Sequence, residues 1–226
     1  MIPGQGRRGD TPSRILDVAE RLVETKGFAS FSYASVAAEL NITKAALHYH
    51  YPGKAELGVA LIARYAARFR DAIAAIDARG GTPAEKLSSY INLYAGFLGQ
   101  QKMCLCCMLA AEFENLPAPM RAGVTRFLED NERWLETVME QAATERAARE
   151  NYKRLPGDAH GSAVLFLCAL EGAMVVGRPV GDPGTFMAVA STLVANLTGV
   201  TGGAAAAAGN AGGPVAGSRT SRTTRT

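Results

Sequence analysis

Between Ser32 and Lys54 the chain runs SYASVAAELNITKAALHYHYPGK, and it packs hydroxyl, ammonium, imidazole and phenol groups into one short stretch. Thr43, Lys44, His48, Tyr49, His50 and Lys54 carry groups that donate to phosphate oxygens or to base edges, and Ala45 leaves a spot small enough for close approach. The second concentration of reactive groups is Cys104-Leu105-Cys106-Cys107, three thiols within four residues. A thiolate near a helix start, with Lys102 two positions before Cys104, would have a lowered pKa and could sense oxidants or electrophiles. Thiols of this kind are equally at home as small buried apolar residues.

Two short helices joined by a tight turn would position the first set. Ser32 is an N-cap candidate for a helix to Leu40 with Val36, Ala37 and Leu40 on one side. Asn41-Ile42 makes the break, since Asn tolerates left-handed backbone. Thr43 can cap a second helix that reaches His50 and ends at Pro52-Gly53. Leu47 then faces Val36 and Ile42, which leaves Thr43, Lys44, Ala45, His48, Tyr49 and His50 outside that small core. A pair packed this way offers its second helix to a DNA major groove.

Together with the helix before it, this stretch resembles the DNA-binding domain of the TetR family of transcriptional regulators. That family typically ends the motif as L-Y-x-H-F-x-x-K, and here the run is Leu47-His48-Tyr49-His50-Tyr51-Pro52-Gly53-Lys54. The resemblance assigns Tyr49, His50 and Lys54 to phosphate clamping and Thr43, Lys44, Ala45 and His48 to the groove. Ser32 and Tyr33, at the start of the first helix of the pair, join them as candidate DNA contacts. The chain departs from the pattern at His48, where an aromatic is usual, at Asn41, where Gly is usual, and at Phe31, where Thr is frequent.

The 226 residues are 48% hydrophobic and 20% charged, ample for a sizeable core, with abundant alanine and little β-branched alternation. An all-α fold is the expectation. A formal charge of +3 is too small to argue for nucleic acid by itself. No uninterrupted apolar run of about 18 residues occurs, and no hydrophobic core follows Arg7-Arg8, so a cytoplasmic protein without a membrane partner is expected. The clustered cysteines make a poor disulfide framework, in keeping with a reducing compartment.

Taken in order, residues 1–10 read as a disordered N-terminus and residues 11–55 as a three-helix DNA-binding unit. Its first helix buries Ile15, Leu16, Ala19, Leu22 and Val23 and stops at Gly27. Residues 56–200 form a larger helical domain for ligand sensing and dimerisation. It begins with a rod from Lys54 to about Arg79, followed by helices from Thr82-Pro83 to about Gln101, Met103 to Glu114, and Ala118 to Arg149. Asp158–Val176 is apolar nearly all round, and Phe186–Leu197 is similar, which a single protomer seldom buries at its periphery. A homodimer through these last two helices follows, and the resemblance implies the same pairing. Residues 201–226 hold too little apolar bulk to fold and read as a disordered tail.

A small-molecule pocket within the bundle is the other expectation, with Tyr90, Tyr94, Phe97, Met108, Glu112, Phe127, Trp134, Phe166 and Glu171 as candidate lining. No phosphate loop, nucleophile elbow or metalloprotease motif appears, so neither an enzyme nor a cofactor is expected, and the cysteines are poorly spaced for a metal. The sequence thus reads as a homodimeric, ligand- or redox-responsive repressor of a palindromic DNA operator, released by an unknown small molecule or by cysteine modification. The alternatives are a redox-responsive thiol sensor, or a helical small-molecule-binding enzyme, with secondary DNA contact.

Overall fold

The structure, a computed structural model, describes residues 11–98, 100, 102–150 and 158–198. These residues are all-α: α1 Thr11–Lys26, α2 Tyr33–Leu40, α3 Lys44–His50, α4 Lys54–Arg79, α5 Pro83–Leu98, α6 Leu105–Ala110, α7 Ala118–Glu150, α8 Ala159–Val180 and α9 Pro183–Thr198, with one 3-10 turn at Phe113–Asn115. The terminal segments expected to be disordered, residues 1–10 and 201–226, lie outside the described residues.

The helix-turn-helix forms for local reasons. Ser32 Oγ accepts from Ser35 N while Ser35 Oγ accepts from Ser32 N, a reciprocal cap that starts α2. Asn41 closes α2 in the left-handed region at φ 53°, and Asn41 and Ile42 donate back to Ala38 and Ala37. Thr43 Oγ1 accepts from Ala46 N at 3.1 Å and starts α3. Leu47 is fully buried, with Val36 fully buried and Ile42 partly so, which forms the small shared core.

The larger unit is a helical bundle in which α7 packs on α4, α5 and α8, and α9 on α5 and α8. α4, 26 residues long, spans about 39 Å at ~1.5 Å per residue and belongs to both units. An aromatic cluster fills the centre: Phe69 meets Tyr90, Tyr94 and Phe127 edge-on at 5.2–5.9 Å between centroids.

The limits of three helices differ from the sequence expectation. α5 stops at Leu98 because Gln100 N and Lys102 N both donate to Phe97 O, which turns the chain. The cysteine helix is short, Leu105–Ala110 rather than Met103–Glu114. At its start Met103 N is drawn to Glu24 O of α1, and at its end the chain breaks so that Glu112 can reach the other unit. α8 runs on to Val180, with Pro179 in its last turn and Gly181 capping it at φ +69°.

α8 is long and apolar enough to cross a membrane by composition alone, yet one side of it is packed on α7 and α9. On the other side Leu165, Val175, Val176 and Val180 are exposed, as is Met187 on α9.

Candidate nucleic-acid interface

α3 presents its polar side outward. Thr43, Lys44, Ala45, His48 and Tyr49 are exposed and His50 is half-buried, as the motif expectation required. Tyr49 is 84% exposed, the extreme among large apolar side chains of the described residues, and its ring meets His50 edge-on at 5.1 Å. An apolar ring held in water costs free energy, so a surface that covers Tyr49 would recover it.

His48 is fixed by two contacts. Its ring packs on Tyr33 at 4.7 Å, and Nδ1 lies 2.9 Å from Pro52 O. A carbonyl oxygen only accepts, so Nδ1 is the donor in this contact. Tyr33 is used within the unit as well: its hydroxyl donates to Tyr51 O at 2.8 Å, and burial, with the charges of Glu56 and Tyr51, pushes its pKa up to about 12. Ser32 and Thr43 are committed as caps through their hydroxyl oxygens.

Lys54 stands at the open start of α4, where Gly53 supplies no side-chain cap. Its ammonium lies over the rings of Phe28 and Phe31, 4.5 and 4.6 Å from their centroids, and burial lowers its pKa. Phe31 therefore has a use where it departs from the family pattern: with Phe28, edge-on at 5.3 Å, it cradles Lys54.

Two sets of residues hold this head on the bundle. Arg64 of α4 reaches Asp17 and Glu20 at 2.7 Å each and Ser13 O at 3.2 Å, and Arg68 pairs with Glu20 as well. Acids at 17, 20 and 24 on α1, opposite arginines at 64 and 68 on α4, were a readable helical pattern that the sequence reading passed over. The second set meets the end of α1. Glu112 accepts from Phe28 N at 2.7 Å and Ala29 N at 2.8 Å, Arg178 of α8 donates to Thr25 O at 2.8 Å, and Met103 N donates to Glu24 O at 3.2 Å. Gly27, at φ +84°, permits this approach, because a Cβ there would stand 2.4 Å from Glu112 Oε1.

The other expected sites change character. Glu112 is a tie between the units rather than pocket lining. Cys104 and Cys106 are buried, Cys107 is half-buried, and the lowered pKa expected of them is reversed. Burial first, then the nearby Glu171 charge, raises all three thiols, Cys107 to about 12. Lys102 does not assist them, because it pairs with the buried Glu24 at 3.2 Å. Burial and the Glu20 charge raise the Glu24 pKa, with Lys102 opposing.

A cleft of about 470 Å³ does lie between α4 and α7, floored by Phe69, Ile73, Phe127 and Trp134 and rimmed by Arg70, Asp77, Asp130 and Arg133. Of the expected pocket residues, Phe127 and Trp134 line it. Tyr90, Tyr94 and Phe166 are fully buried core, and Phe97 and Met108 are packed at its edge. Among the described residues no three His, Cys, Asp or Glu side chains converge on a metal-holding geometry.

Residues 15–61 match the family model described as bacterial regulatory proteins, tetR family. No curated protein matches the chain in sequence. Among solved structures, a TetR-family transcriptional regulator from Agrobacterium tumefaciens is 29% identical with a TM-score of 0.74, over 82% of this chain and 96% of that one. A TetR transcriptional regulator from Legionella pneumophila is 26% identical with a TM-score of 0.72, over 85% and 97%. The reduced form of NemR from E. coli shares the fold at 18% identity and a TM-score of 0.66, over 81% and 95%.

Proposed function

With a TetR-family DNA-binding domain at residues 15–61 and the fold of TetR-family transcriptional regulators over the described chain, we propose that this protein is a homodimeric cytoplasmic repressor. It reads a palindromic operator with residues 11–55 and senses an effector with residues 56–200. The observation that carries the reading is the exposed side of α3, where Lys44, His48 and Tyr49 stand free of the core that Leu47 anchors. Thr43, Lys44, Ala45 and His48 read bases, while Tyr49, His50 and Lys54 hold phosphates.

Dimerisation uses the stripe on α8 at Leu165, Cys168, Gly172 and Val175, spaced three or four residues apart, with Val176 beside it, which makes one exposed, mostly apolar line. Two copies joined there would set two α3 helices at half-sites about 34 Å apart or a multiple of it. An effector that favours another separation weakens binding to fixed half-sites. Buried thiols with raised pKa values favour a non-covalent effector over cysteine modification as the release signal.

The test is selection from sheared genomic DNA of the source organism by the purified protein, with and without a mild thiol oxidant, followed by sequencing. One enriched palindrome, retained with oxidant, is the expected result. Loss of enrichment with oxidant would restore the cysteine switch, and no enrichment in either sample would overturn the operator reading.

A further inference from the structure

Glu171 points the wrong way for a surface carboxylate. The residue as a whole is partly exposed on α8, so the ordinary arrangement would bury its stem and leave the charge in water. Here both carboxylate oxygens are shut off from solvent, and neither has a hydrogen-bond partner. Tyr94 of α5, Cys104 just before α6 and Cys107 of α6 lie close enough to influence the carboxyl, but none reaches it with hydrogen-bond geometry.

No ion pair reaches the Glu171 carboxylate among the described residues, and three basic side chains of the bundle are committed elsewhere. Lys102 pairs with Glu24, Arg68 with Glu20, and Arg178 donates to Thr25 O. Buried charge is ordinarily paired, and a carboxylate left alone is costly. The surroundings are apolar and aromatic. Tyr94 is ringed by Phe69, Tyr90 and Phe97 at 5.3–6.3 Å between centroids, and Tyr65 donates to Cys104 Sγ at 3.5 Å. Ring faces attract cations as carboxylates do. Cys107 and the Glu171 stem are each partly exposed, so the carboxyl lies one side chain below the surface.

We propose that Glu171, with Tyr94 and Cys107 beside it, is the recognition point for an organic cation: an amine or amidine on an apolar or aromatic body. The ammonium meets the carboxylate, and the body enters by displacing the partly exposed Cys107 and Glu171 side chains that cover the aromatic cluster. This rests on residues 56–200 being an effector-sensing domain, and it names the class of effector. Occupation would also reach the reading head, since Cys104 adjoins Met103, which is bonded to the end of α1.

The chain's single tryptophan reports on the site. Trp134 stacks on Tyr90 at 5.4 Å and 19°, and Tyr90 and Tyr94 hydroxyls are 3.2 Å apart. Trp134 fluorescence and thermal melting, without DNA, would be followed on addition of 4-phenylbutylamine, benzamidine and the neutral 4-phenylbutanol. At least one of the two cations should change the fluorescence and raise Tm, 4-phenylbutylamine should outdo the alcohol of equal length, and Glu171→Gln should weaken cation binding at least tenfold. Melting of the ligand-free Glu171→Gln protein shows that it is folded, and Glu171→Asp, which keeps the charge, should retain more of the affinity. The proposal falls if amine and alcohol bind alike, if neither cation binds, or if Glu171→Gln binds the cations as the parent does. Operator selection by the parent protein, run separately without amine, tells failure of this site from failure of the regulator reading.

Discussion

Glu112→Ala should loosen the joint between the reading head and the bundle. The carboxylate accepts two backbone N–H bonds across it, from Phe28 at 2.7 Å and Ala29 at 2.8 Å. Hydrogen bonds to a charged acceptor contribute roughly 1.5–3 kcal/mol each when shielded. The Phe28 bond is partly buried and keeps about 1.5–2 kcal/mol of that. The Ala29 bond is exposed, so water replaces its partner and about 0.5–1 kcal/mol is lost. The sum is about 2–3 kcal/mol, or a fall in Tm of about 5–10 °C for a chain of this size. Calorimetry reads the total, and amide hydrogen exchange at Phe28 and Ala29 reads its location. Glu112→Gln keeps one acceptor and should lose about half as much. The head should stay attached, because Arg178, Met103 and Arg64 hold α1 independently. A loss below about 0.5 kcal/mol, with no faster exchange at either amide, would refute the assignment of Glu112 as a tie.

Further outcomes follow from the same geometry. Tyr49→Ala and Lys54→Ala should weaken DNA binding by similar factors on every operator variant, whereas Lys44→Ala should also change the ranking of variants; equal loss on all of them for Lys44→Ala would contradict base reading. Leu165→Glu should convert the dimer to monomer in sedimentation, and a dimer that survives it would move the interface off α8. Burial raises the Glu171 pKa above 4.5, so the protonated carboxyl favours the folded state, and that contribution is lost as pH rises from about 4.5 through the folded value. The parent should therefore lose Tm relative to Glu171→Gln as pH is raised through that window, and a difference independent of pH would be inconsistent with it. Native protein should leave Cys104 and Cys106 unreacted with a thiol reagent that labels them at once in denaturant.

Local signals carried the reading head. Ser32 and Thr43 as caps, Asn41 at the turn and Leu47 on the inner side act within a few residues of themselves, so spacing along the chain already determined which side of α3 meets water. The long rod Lys54–Arg79 was legible for the same reason, since a glycine precedes it and another ends it. The apolar excess of α8 was legible in composition, and the structure adds which side of it remains uncovered. The roles of Glu112, the thiols and Glu171 were not legible. Each depends on groups from elsewhere in the fold: Glu112 on two amides 83 and 84 positions away, the thiols on the bulk that buries them, and Glu171 on the side chains of Tyr94, Cys104 and Cys107 that enclose it. A motif states which groups a segment offers. Hydrogen-bond partners, solvent exclusion and the distance to the nearest opposite charge are properties of the packed chain, and these decided that Glu112 joins two units, that the thiols are suppressed, and that Glu171 is left without a partner.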